Sequence, residues 1–434
     1  MNAILHDRSA QMLMALDDLG YDQARGRLER AAVVVETDPD LDDAHQALLL
    51  AAVSCALKMF KGGVFLTPQL DGRLTIGQNR AQPLRRALLD IGAKTIHAPD
   101  HAVGLHVGPG QPQGGPALHV WCDGWRAVIG PHAPQARPAP ANILAGMAGG
   151  GMAIAELFRK AVLDDVRACK QRQDLSVWGA SPPDDATLGR LPQKAWLLGL
   201  GNLGQAVLFG LSLLPWKDPG EVTLVLNDAD TVGPENLPVQ ILTTHAWIGR
   251  KKARAAAEWA EARGFKTIID ERRFNAGTAL GPDDPRLALV GVDNLEARRH
   301  AAGAGFDLVI DAGLGATGPE AFDIRLHAFP GAQTPASAWP IVSTAPRAIS
   351  KALSDLVTQG RLDACGAMTI AGSSVGVPCT AMVAAALQLA QACRALDAGL
   401  CADKIDVSLA DLRRAKWRDM TCSPQRTVAG IEAL

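Results

Sequence analysis

The sequence predicts an α/β protein built on a doubly wound, mostly parallel sheet, and three observations carry that prediction. An apolar run, Ala195 to Leu200, enters the glycine turn Gly199-Leu-Gly201-Asn-Leu-Gly204, and a helical pattern over Leu203 to Leu214 leaves it. A second apolar run, Val222 to Leu226, ends in Asn227-Asp228-Ala-Asp230. Beyond it, strand and helix patterns keep alternating, which means parallel strands joined by crossover helices on both faces. Strand, glycine turn, helix, strand and acid together describe a Rossmann-like, mononucleotide-binding unit. The glycines let the backbone turn tightly and approach phosphates, and the helix start offers unpaired N–H groups and the positive end of its dipole. Asp228 stands where a carboxylate accepts hydrogen bonds from ribose hydroxyls. These features alone leave the nucleotide open, and a nicotinamide-dependent dehydrogenase shares them.

At 434 residues the chain has room for two domains, expected at 1–190 and 191–434. A net charge of −2 without a long basic run argues against nucleic acid as the main partner. The most apolar helical stretches, near Ile143–Phe158 and Val375–Ala392, are rich in Ala and Gly and broken by Gln, Glu or Thr, so they read as buried helices and not as membrane spans. The start, Met1-Asn-Ala-Ile-Leu-His-Asp, lacks the pattern of a signal peptide. Eight cysteines without a C-x-x-C pair argue against a disulfide scaffold or a common zinc site. A reducing, cytoplasmic setting is the expectation.

Taken in order, residues 1 to about 60 read as amphipathic helices, and Lys61-Gly-Gly-Val-Phe-Leu as a strand after a glycine turn. Pro83–Ala93 reads as a helix, and Ala117–Trp121 and Trp125–Gly130 as two strands around Asp123-Gly124. A small-residue helix is expected over Asn142–Cys169, where Ala148-Gly-Gly-Gly-Met permits close packing at some cost in helicity. Arg172–Leu191 is polar and turn-prone and reads as a linker. There follow a helix near Gly249–Arg263, strands at Lys266–Asp270 and Leu287–Val292, a helix from Asn294, and strands at Leu308–Asp311 and Ala321–Phe329. Pro330–Leu362 reads as irregular with a helix near Arg347–Thr358, and Ala364–Thr380 as a Gly/Ser/Thr-rich loop before a long final helix.

The motif order after the glycine turn is more specific: Asp228-Ala-Asp-Thr-Val, then Asn236-Leu-Pro-Val-Gln240, Ile248-Gly249-Arg-Lys-Lys252, and Val292-Asp293-Asn294 after a later strand. Between about Ala195 and Arg298 this resembles the adenylating superfamily of ubiquitin-activating enzymes and their bacterial ThiF and MoeB relatives, and the likeness continues more faintly to about Ala392. The resemblance implies ATP with Mg²⁺ as cofactors and the adenylation of a carboxylate. Gly199, Gly201, Gly204, Asp228 and Asp230 would bind the nucleotide. Asn236 would orient a phosphate or the attacking oxygen, Lys252 would neutralise phosphate charge, and Asp293 would hold the metal. The implied substrate is a small ubiquitin-like or sulfur-carrier protein ending in Gly, with a conjugating-enzyme-like partner downstream. Relatives of this kind work as dimers of the fold, which implies a homodimer or two fused halves. By analogy alone, the pathway is a bacterial ubiquitin-like conjugation system, including antiphage defence.

The pattern departs at Val239, where the family carries an arginine. Arg250 or a partner subunit is the expected substitute. If neither serves, the chain is a non-catalytic scaffold of the same fold. For a thioester-forming nucleophile the candidate is Cys365, in Asp363-Ala-Cys365-Gly366, ahead of Cys379, whose thiol a helix start would acidify. The first half has neither G-x-G-x-x-G nor D-x-D-x-V. Phe60-Lys-Gly-Gly-Val, the Trp121–Gly130 strand pair and the helix ending Ala155-Glu-Leu-Phe-Arg nonetheless resemble a degenerate, inactive adenylation-like α/β half. An unrelated α/β cap is the alternative. Arg298 and His245 read as ordinary structural or surface residues, and Asp311 as a strand-end acid near the site.

Overall fold

The computed structural model describes residues 3–17, 19–78, 80–95, 97–315, 318–340, 349–372 and 376–421. Three short helices open the chain, α1 (Ala3–His6), α2 (Arg8–Asp17) and α3 (Tyr21–Arg30), and lead into β1 (Ala32–Thr37). Only helices are expected before residue 60, and β1 departs from that expectation. Three consecutive valines, Val33 to Val35, crowd a helix but pack well on a pleated surface. Helix α4 (Asp43–Met59) follows, its start capped by the Asp42 carboxylate, which accepts from the His45 amide at 2.9 Å. Next come β2 (Gly63–Leu66), α5 (Leu84–Asp90), β3 (Val103–Val107), β4 (Ala117–Asp123), β5 (Arg126–Gly130), α6 (Ile143–Ala161) and β6 (Gln173–Ser176). They form a sheet in the order β2-β1-β3-β4-β5-β6, parallel from β2 to β4 and antiparallel beyond. Strand β6 occupies the first part of the expected linker.

A second sheet begins with β7 (Lys194–Leu198), α7 (Asn202–Leu213), β8 (Thr223–Asn227), α8 (Lys252–Glu261), β9 (Lys266–Asp270), β10 (Leu287–Val290), α9 (Leu295–Gly303), β11 (Leu308–Leu314) and β12 (Asp323–Phe329). After α10 (Pro335–Ala338), α11 (Lys351–Thr358), α12 (Ala364–Gly372) and α13 (Pro378–Ala398), the strands β13 (Leu400–Ser408) and β14 (Lys416–Thr421) complete it. The order is β14-β13-β12-β11-β10-β7-β8-β9, with the five strands from β11 to β9 parallel and the other three antiparallel. The architecture is therefore the mostly parallel, doubly wound α/β type. Strand order reverses between β7 and β10, and open α/β sheets bind ligands at such a switch point, outside the strands' carboxyl ends. The loop expected over 364–380 is helical as far as Gly372, because Ala, Met and Ile at 364–371 favour helix and Asp363 O accepts the Ala367 amide. Residues 373–375 lie outside the described residues.

The two sheets share one apolar core. Helices α4 and α6 lie against each other in the first half, and α13 packs on α6, α7 and β11, so leucines such as Leu48, Leu157, Leu208 and Leu387 belong to one buried cluster. The glycines of α6 set the spacing. A Cβ on Gly146 would lie 2.0 Å from Ala44 O, and one on Gly150 2.6 Å from Leu48 O. By length and composition α13 is apolar enough to cross a membrane, but 94% of its most apolar stretch is buried inside the protein.

Candidate functional site

The carboxyl ends of β7 to β11 open onto a cleft of about 730 Å³, and the residues singled out by the motifs converge on it. Gly199, Gly201, Asp228, Asp230, Asn236, Val239, Lys252 and Asp293 all line it. The glycines have separate tasks. Gly199 has φ +87°, a conformation L side chains rarely adopt, and a Cβ there would come within 2.9 Å of the Val292 side chain. Gly201 lines the cleft, and Gly204 lies behind it, where a Cβ would sit 1.9 Å from Gly199 O. Gly201 precedes α7 without a side-chain cap, so the first N–H groups of this twelve-residue helix are left for a ligand.

Asp228 ties the second strand to the turn. Its two oxygens accept from the Leu200 and Asp230 amides, each at 2.8 Å. Burial pushes its carboxyl above the ordinary value, against the pull of Lys252. Lys252 is buried at the start of α8 and reaches Asp230 at 3.0 Å. For Asp230, burial is outweighed by that hydrogen bond and charge, and its carboxyl lies below its ordinary value. Asn236 Oδ1 accepts from the Gly233 amide at 2.9 Å, which shapes the turn and leaves the amide nitrogen without a bond among the described residues. Asp293 is exposed beyond β10, and the neighbouring Asn294 caps α9 by accepting from the Glu296 and Ala297 amides.

Val239 leaves its position in the cleft wall without a cation, and other basic side chains line the cleft. Val239 is only 9% exposed and belongs to the core. Arg250 does not replace it, because it pairs with Glu258 at 2.5 Å outside the cleft. Arg8 of α2, Arg272 and Arg273 beyond β9, and Arg298 of α9 line the cleft instead. Arg8 arrives because the N-terminal helices lie against the turn containing Asn236, with His6 Nδ1 3.2 Å from Glu235. Arg298 is no solvated charge. Its side chain is 12% exposed, Nε donates to Val292 O at 2.7 Å, and Nη1 lies 3.3 Å from Asp311. Asp311 is fully buried, and burial raises its carboxyl to about 6 despite Arg298. A pair of arginines after a parallel strand is a signal the sequence offered for Arg272 and Arg273. Nothing local signalled Arg8, which sits almost two hundred residues from the glycine turn.

The thiols divide. Cys365 is exposed in the first turn of α12 and is not part of the cleft lining. Cys379 contradicts its expectation. Although it sits in the first turn of α13, it is fully buried, and burial raises its thiol to about 12, which outweighs any help from the helix dipole. In the first half, the corresponding strand ends are filled by their own loop. Asp38 accepts from the Gly110 amide at 2.8 Å and pairs with His106 at 3.0 Å, and Glu36 accepts from the Gln113 and Gly114 amides. A Cβ on Gly108 would fall 2.4 Å from Asp38.

Three comparisons bear on this arrangement. Residues 30–177 match the model of the BilD N-terminal domain, and residues 191–399 that of the BilD C-terminal domain. The "Bacterial E1-like protein BilD" of Collimonas sp. (strain OK412) is 32% identical over 406 residues, covering 88% of this chain and 86% of the relative. Among solved structures, E. coli MccB with succinimide is similar at a TM-score of 0.33 and 14% identity, over 55% of this chain and 66% of MccB. MccB with MccA gives 0.33 and 15%, over 54% and 67%. With both domain models matched in order and a relative sharing 32% identity across most of its length, the chain belongs to the bacterial E1-like BilD family.

Proposed function

We propose that the cleft binds ATP with Mg²⁺ and that the chain adenylates the C-terminal carboxylate of a small ubiquitin-like or sulfur-carrier protein. One observation carries the reading: the glycine turn, Asp228, Asn236, Lys252, Asp293 and four arginines surround a single cleft at the switch point of the second sheet. A carboxylate oxygen attacks the α-phosphorus, the bond to the bridging oxygen breaks, and pyrophosphate leaves as the acyl-adenylate forms. Binding and charge neutralisation are what such a step requires of the protein. The N–H groups at the start of α7 and Lys252 hold phosphate, Asp228 holds the ribose, and Asn236 offers its amide nitrogen to the reacting oxygens. The arginines stabilise the departing charge. Bound Mg²⁺ would neutralise phosphate oxygens. One exposed carboxylate at a strand end, with no cluster of three or more His, Cys, Asp or Glu ligands among the described residues, suits a cation that shares its shell between protein, phosphate and water. The cleft's cations support catalysis over the scaffold reading that Val239 raises.

We assign 1–190 as the partner half and 191–434 as the nucleotide-binding half. Cys365 is the candidate for a following step, in which its thiolate attacks the acyl carbon and AMP leaves. The test is ATP–pyrophosphate exchange with Mg²⁺ and a Gly-terminated carrier encoded beside the chain. Exchange by the wild type and a loss of at least about a hundredfold in Asp293→Ala are expected. Absence of exchange with a carrier that binds the chain would leave the scaffold reading. A reducible carrier adduct lost in Cys365→Ala would support the thioester step.

A further inference from the structure

Lys58 stands in the last turn of α4, in the first half, yet its hydrogen bonds go to the second. Its Nζ donates to Leu237 O at 3.0 Å and to Thr243 O at 2.8 Å. These carbonyls bracket the loop that carries Val239 and Gln240 along the cleft, directly after Asn236. Inside the bracket Gln205 of α7 does the rest. Its Nε2 donates to Gln240 Oε1 at 2.8 Å and to Thr243 Oγ1 at 2.9 Å, and its Oε1 accepts from the Leu242 amide at 3.0 Å. This is the loop in which valine stands where the family resemblance places arginine. Charged neighbours on the surrounding elements are already paired: Lys61 with Asp7, Glu235 with His6, and Lys252 with Asp230. No salt bridge among the described residues reaches Lys58. Two carbonyls take two of its three N–H donors and leave its charge without a counterion among the described residues.

We propose that Lys58 is a positioning residue for the cleft. From the first half of the chain it fixes both ends of the 237–243 loop and sets an uncompensated positive charge behind a site for polyphosphate. The proposal rests on the nucleotide-binding reading and adds that part of the charge absent at Val239 is supplied across the two halves, one layer behind the cleft wall. Burial lowers the Lys58 ammonium to about 8. The charge is thus present at neutral pH and disappears as pH rises through that value, while a bound polyanion favours the protonated form.

Equilibrium binding of ATP with Mg²⁺ to the full chain, measured between about pH 6.5 and 9.5, tests it. Wild-type affinity should fall as pH rises through about 8. Lys58→Met should bind about tenfold more weakly at pH 7 and show no fall in that range, in keeping with the loss of charged hydrogen bonds. Lys58→Arg should bind like the wild type at pH 7 and keep its affinity at alkaline pH, because a guanidinium stays charged. Wild-type affinity in Lys58→Met, or an unchanged fall near pH 8 in either variant, would overturn the proposal alone. Should Lys58→Met not fold, the alkaline profile of Lys58→Arg decides. A wild-type chain that binds no ATP at any pH would overturn the nucleotide reading and this proposal with it.

Discussion

Lys252 and Asp230 lie 3.0 Å apart, so the lysine is held in place without a ligand, and in the proposed ATP complex it would be shared with a phosphate. Asp228 is held just as firmly, by two backbone amides, and each of its oxygens keeps a lone pair for a ribose hydroxyl. Preorganisation of this kind lowers the reorganisation needed when charge develops. Arg8 is the residue on which the reading is most exposed, because it comes from α2 and belongs to no motif. Arg8→Ala is expected to lower kcat/KM for ATP–pyrophosphate exchange by about ten- to a hundredfold. Exchange at the wild-type rate would leave charge neutralisation to Lys252 with Arg272, Arg273 and Arg298.

At the scale of elements, β11 and β12 place two buried titratable groups opposite each other, Asp311 and His327. Burial raises Asp311 from 3.8 to about 6, and burial lowers His327 from 6.5 to about 4. Stability contributed by Asp311 is present below pH 3.8 and lost as pH rises through about 6. That contributed by His327 is present above pH 6.5 and lost as pH falls through about 4. The slopes are opposite and of similar size, about 3 kcal/mol each over the window. Removing His327 takes away the offsetting slope, so in denaturant unfolding between pH 4 and 6.5 the stability of His327→Phe should fall more steeply with rising pH than that of the wild type. The same slope in His327→Phe as in the wild type would contradict this. Helices α4 and α6 give a second prediction. A methyl group on Gly150 has no room against Leu48 O, so Gly150→Ala should destabilise the chain by about 2 kcal/mol, read as a lowered unfolding midpoint, despite alanine's better helix propensity.

For the whole molecule, the shared core makes the two halves one folding problem. Helices α7 and α13 bury apolar faces against α6, Arg8 crosses from the first half to the cleft, and Lys58 crosses to the loop behind its wall. A fragment comprising 191–434 should expose those faces, aggregate or bind an apolar dye, and fail to bind ATP. A monomeric fragment that binds ATP as the full chain does would show that the first half is dispensable. The local part of the cleft was legible because its residues fall in short contiguous segments. Gly199–Gly204, Asp228–Asn236, Lys252 and Asp293 each follow a parallel strand or open a helix, and a periodic pattern locates those positions. Strand β1 was missed because Val33–Val35 is a short apolar run between helices. The same limit hid β3, and β13 and β14 as well.

By itself the sequence determined the α/β class, the glycine turn between strand and helix and the identity of five polar groups that meet at it, because backbone geometry and strand ends follow from local pattern. Only the tertiary structure decided which arginines line the cleft beside Val239, that Cys379 is buried while Cys365 is exposed, and that the first half reaches the cleft through Arg8 and the loop behind it through Lys58. Those outcomes depend on burial and on contacts between segments far apart in the chain, and neither is encoded in a local repeat.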